Sequence, residues 1–190
     1  MTAFFTRCCK KYSLLFALAL SLLAAPAAQA EGIEVRHAAL VAGEEGYFLE
    51  ADFEIALNTT LEDALNKGVP LYFLLEFEVI RPRWYWLNEK VFNTRQQYRL
   101  SYNTLTRQYR LGVGSFYHNF GALAEALDFL SRVRRRQVLE TGILGKGNTY
   151  TAGVRMRLDV SQLPKPFQLN ALASRDWNFG SEWQRWSVTP

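Results

Sequence analysis

Between Val69 and Ile80 the chain reads VPLYFLLEFEVI, and on an extended backbone successive side chains point to opposite faces. Leu71, Phe73, Leu75, Phe77 and Val79 then share one continuous apolar face, while Tyr72, Leu74, Glu76, Glu78 and Ile80 make a mixed one. Such a strand belongs at the centre of a sheet and needs a second layer over its apolar side. The same period of two recurs along the chain. Ile33–Val41 and Tyr47–Leu57 flank the glycine-bearing turn 42–46 as a hairpin, and Tyr98–Tyr102 and Tyr109–Val113 flank Asn103–Thr106 as another. Thr149–Asp159 is a further long strand, and Phe167–Ala173 and Glu182–Val188 read as weaker ones.

Only two segments have helical spacing. Thr59 and Glu62 stand at capping-box distance before Leu61, Ala64 and Leu65, and Gly68 and Pro70 stop that short helix. Gly121 to about Arg135 is the longer helix, with Leu123, Leu127 and Leu130 on one stripe. The sum predicts an antiparallel β-sandwich of about seven to eight strands with one short and one longer α-helix. A closed barrel is the alternative, and a parallel α/β sheet is excluded because helices are missing between most strands.

Residues 1–30 are expected to lie outside that fold. Arg7, Lys10 and Lys11 precede the apolar run SLLFALALSLLAA, and Ala28 and Ala30 take the small-residue positions of a cleavage site. This is the layout of a signal peptide cut after Ala30, which leaves 31–190 as a single domain and places it in the periplasm. Cys8 and Cys9 leave with the leader, so the remaining chain has no disulfide and no thiolate ligand. Removing Arg7, Lys10 and Lys11 from 22 basic residues leaves 19 against 18 acidic ones, and overall basicity gives no reason to expect nucleic acid.

Catalytic and metal chemistry find little support. The two histidines, His37 within a predicted strand and His118 in the loop before the longer helix, have no ligand spacing between them, so no metal or cofactor is expected. Gly112-Val113-Gly114-Ser115 lacks the second glycine of a nucleophile elbow. Glu76 and Glu78 share a strand face and are the one carboxylate pair suited to glycan chemistry, although paired acids on a sheet surface are more often solvated. Arg95, Arg99, Arg155 and Arg157 are their expected cross-strand partners.

Two patches qualify as binding surfaces. Arg81-Pro82-Arg83-Trp84-Tyr85-Trp86 follows the central strand, where Pro82 ends the ladder and the guanidiniums of Arg81 and Arg83 can stack on the rings. The structural reading makes Trp84 and Trp86 a closure of the sandwich against Trp177, Trp183 or Trp186; the functional reading makes the segment an exposed patch. Arg132, Arg134, Arg135 and Arg136 end the longer helix, where cations complement the helix dipole in greater number than it requires. They suit an acidic partner or an anionic membrane surface.

The leader, the Thr59–Val79 helix-and-strand unit, the Arg-Pro-Arg-Trp-Tyr-Trp step and the Arg155–Asp159 strand leading to Leu163-Pro164-Lys165-Pro166-Phe167 together resemble an uncharacterised family of exported proteobacterial proteins, the domain of unknown function 4390 family. The resemblance implies an envelope protein without assigned catalytic residues. It also implies gene neighbourhood with a membrane sensor kinase of the nitrogen-regulation type. The expected function is that of a periplasmic, non-enzymatic binding or accessory protein for another envelope component, a sensor kinase among them. A carrier of an apolar or lipidic ligand between the sheets is the alternative, and a glycan-acting enzyme a distant third.

Overall fold

The computed structural model describes residues 31–83, 89–145 and 147–190, within which Glu31–Pro190 form one compact unit. The chain runs β1 (Gly32–Gly43), β2 (Gly46–Ala56), α1 (Thr59–Asn66), β3 (Leu71–Arg81), β4 (Glu89–Asn103), β5 (Gln108–Val113), β6 (Phe116–Phe120), α2 (Leu123–Ser131), β7 (Arg132–Glu140), β8 (Tyr150–Leu158), α3 (Lys165–Ala173) and β9 (Gln184–Val188). Every strand pairing is antiparallel. A small sheet has the order β1-β2-β7, and a large one β6-β5-β4-β3-β8-β9.

The mainly β, two-sheet architecture is therefore the one expected, with nine strands and three short α-helices among the described residues. No barrel closes. β3 is central, paired to β4 on one side and β8 on the other, and its odd-numbered side chains from Leu71 to Val79 are all buried. They share a core with Ala152, Val154 and Met156 of the neighbouring β8 and with Leu49, Ala51 and Phe53 of β2 in the other sheet. Phe77 meets Trp186 of β9 at 6.5 Å, and Phe73 meets Phe179 edge-on at 6.5 Å.

Local chemistry explains most element ends. The helix cap of α1 lies one residue before the expected Thr59: Asn58 Oδ1 accepts from Leu61 N at 2.9 Å, and its Nδ2 donates to the Asp176 carbonyl at 2.7 Å. The β1–β2 turn needs Gly46, whose φ is 138° and where a Cβ would lie 2.0 Å from the Leu139 carbonyl oxygen.

Three expectations fail. Phe167–Ala173 belongs to a helix, α3, because Pro166 occupies its first turn and Gln168 Nε2 donates to the Ser161 and Leu163 carbonyls, both at 2.7 Å. Phe116–Phe120 is a strand and not a loop; Gly114-Ser115 makes the tight turn of a β5–β6 hairpin. The longer helix stops at Ser131, and the arginines beyond it lie on β7. The dipole explanation for them therefore falls.

That strand is hard to see in the sequence because two bulges break its alternation. From Ala51↔Val133 to Leu49↔Arg136 the ladder advances two residues on β2 and three on β7, and a second shift follows between Tyr47 and Phe48. A bulge re-aims the side chains on either side of it. Val133 and Arg136 both turn inward, and Val138 and Leu139 are both buried although adjacent.

Candidate functional site

The outer face of the large sheet carries an unusual charge arrangement. By register, Lys90, Arg95, Arg99, Arg110, Arg155, Arg157 and Arg185 point to the same side as Glu76 and Glu78. Seven cations thus accompany two carboxylates. The acids are not solvated as expected: Glu76 is 5% exposed and Glu78 8%.

Glu76 receives Arg155 Nε at 2.6 Å, Arg95 Nε at 3.1 Å and Arg157 Nε at 3.2 Å. Glu78 is held by Arg185 at 3.2 Å and Lys90 at 3.3 Å. Burial pushes the Glu76 carboxyl up, but hydrogen bonds from Arg157 and Arg155, with their charges, outweigh it and hold the group below the ordinary carboxylate range. A glycosidase general acid requires the opposite displacement. Of the expected partners of the pair, Arg99 does not join it; its guanidinium lies 5.8 Å from the Tyr72 ring centroid.

Aromatic rings hold the remaining cations in place. Trp183 has Arg155 at 4.7 Å and Arg185 at 5.2 Å from its ring, and lies across Gly153, where an added Cβ would come within 3.3 Å of the indole. Tyr117 receives Arg110 at 5.6 Å. A cleft of about 390 Å³ opens between Glu76, Glu78, Lys90, Arg95, Arg155 and Trp183. Its donors outnumber its acceptors.

The sequence-derived patches separate. Arg81 and Arg83 converge on Glu89, Arg81 Nε donating at 3.1 Å, and these contacts lower the Glu89 carboxyl. Trp84, Tyr85 and Trp86 lie outside the described residues, and with them the proposed stacking. The other tryptophans do not cluster: Trp177 is buried against Phe167 at 5.8 Å, Trp186 faces the core, and Trp183 faces outward.

Of the β7 arginines, Arg132 pairs with Asp128 and Arg134 with Asp52, the latter at 3.0 Å. Arg135, at φ 42°, sits 5.3 Å from the Phe48 ring. Arg136 makes no ion pair among the described residues and lies beside the buried Tyr98. Arg132, Arg134 and Arg136 border a groove of about 920 Å³ whose wall includes Val113, Phe116, Phe120 and Phe129. Sequence reasoning singled out the bordering arginines but missed the groove's aromatic wall, although Phe116, His118 and Phe120 alternate visibly. His118 stacks on Phe129 at 4.7 Å. Among the described residues no group of His, Cys, Asp and Glu side chains is placed to hold a metal, and no helix is long and apolar enough to cross a membrane.

Fold and surface together define a mainly β protein of two antiparallel sheets with a basic, aromatic-braced outer face. It belongs to the family described as "Domain of unknown function (DUF4390)", which it matches over residues 30–187. No curated protein and no solved structure matches the chain.

Proposed function

We propose that this protein works in the periplasm as a non-enzymatic binding protein that docks an acidic protein surface on the outer face of its large sheet. The observation that supports the reading is the face itself: seven cations against two buried acids, held by ion pairs and by rings. Cations fixed in place before binding lose little freedom on association, so the surface is preorganised. Arginine and aromatic residues are also the types enriched at protein interfaces.

An acidic protein suits this face better than a membrane does. Bilayer attachment uses exposed apolar side chains that enter the headgroup region. Trp183 is only partly exposed and is occupied by two guanidiniums, the exposed Tyr117 ring carries Arg110, and Phe116, Phe129 and Leu169, which are also exposed, lie elsewhere. A membrane sensor protein, as the family resemblance implies, is a concrete partner of the required kind.

Photocrosslinking in cells tests the proposal. A photoreactive residue at Gln97, on this face, is expected to capture one recurring protein, and the same group at Glu54 on the small sheet is not. The Arg95→Glu/Arg99→Glu pair should abolish capture. Equal labelling from both positions, or capture indifferent to charge reversal, would overturn it. The export reading carries its own check: N-terminal sequencing of the purified protein should begin at Glu31.

A further inference from the structure

We propose that the groove between β6, α2 and β7 binds one long-chain alkyl carboxylate, with the head at Arg136 and the chain along Phe116, Phe120 and Phe129. The site is separate from the basic sheet face; the arginine run of β7 reaches its border, but its aromatic wall was not marked in the sequence. Its volume of about 920 Å³ is ample for a single acyl chain. The apolar surface is there in advance of any ligand: Phe116 is 76% exposed and Phe129 43%, although both border a concave wall.

Charge selects the head group. Asp128 and Asp52 already neutralise Arg132 and Arg134, so of the three arginines that border the groove Arg136 is the one with no ion pair among the described residues. The bulge in β7 turns it toward the interior, opposite Leu49 and against the Tyr98 phenol. One guanidinium fork matches a monoanionic carboxylate with two parallel hydrogen bonds. A dianionic phosphate would leave one charge without a counter-ion in an apolar setting, which is costly. Glu125, on the same wall, further disfavours a doubly charged head.

Displacement of a fluorescent fatty-acid probe from the purified protein gives the test. Palmitate is expected to compete at least about tenfold better than hexadecanol, the difference reflecting the charge-assisted bond. Arg136→Gln should remove that advantage and leave hexadecanol unchanged. Phe116→Ser, at an exposed position that tolerates change, should weaken both ligands while the thermal melt stays in place. If Arg136→Gln fails to fold, the acid-against-alcohol preference and the Phe116→Ser loss still decide. Equal competition by acid and alcohol, no competition, or displacement by an apolar peptide but not by palmitate would each overturn the assignment.

Discussion

Two strands that both mix valine with arginine behave differently. β8 reads Val154-Arg155-Met156-Arg157-Leu158, and β7 reads Val133-Arg134-Arg135-Arg136-Gln137-Val138. On β8 the ladder is regular, so Val154, Met156 and Leu158 enter the core and both arginines reach Glu76 on the outer face. On β7 two bulges break the count, and consecutive arginines go to Asp52, to the Phe48 ring and into the groove. A regular strand commits its charges to the fold. On the bulged strand Arg136 has no ion pair among the described residues. Where the backbone slips is thus as decisive as which residues are charged.

The largest expected effect lies in the β8 core. Met156→Ala removes a fully buried side chain between the sheets and should lower stability by about 2–5 kcal/mol, read from denaturant unfolding. A loss below about 1 kcal/mol would show that β8 is not the packed centre described here.

Next comes the clamp on the outer face. Glu76→Gln leaves Arg155 and Arg157 without their anion and should cost about 2 kcal/mol at pH 7. The pH dependence follows from the lowered carboxyl. A folded-state pKa below the unfolded value gives stability that is present above roughly pH 4.3 and lost as pH falls through the folded value. Wild-type protein should therefore lose stability on acidification through that window, and the Glu76→Gln variant should lose less. Parallel acid profiles for the two would contradict the clamp.

The smaller effects separate the two strands directly. At Arg135 the backbone is left-handed, where glycine is free of the cost that side chains incur. Arg135→Gly should therefore be more stable than Arg134→Gly by about 1 kcal/mol, and equal values would deny the bulge. Smallest of all, Arg134→Ala breaks an ion pair whose arginine is 62% exposed and should change stability by less than about 1 kcal/mol.

Much of this was legible beforehand. Alternation located β1, β2, β3, β5 and β8, and it set Glu76 and Glu78 on one face of β3 and Arg155 and Arg157 on one face of β8. It did not show that the acids are buried, since burial came from Trp183 and Arg185 arriving from far along the chain. α3 was misread because Phe167 and Ala171, which pack against the core, fit a helix's spacing of four as well as a strand's even spacing. The arginine run was misread because bulges erase the period that marks a strand.

What the sequence by itself determined was the β character of the chain and which side of each regular strand is apolar, because alternation is a property of neighbouring residues. Which strands pair, where β7 slips, and what remains uncovered beside β6 were decided only when distant segments met. Register is a contact between chains of residues far apart, and no local pattern contains it. The acid clamp and the arginine-edged groove both arise at that level, one from strands in step and the other from a strand out of step.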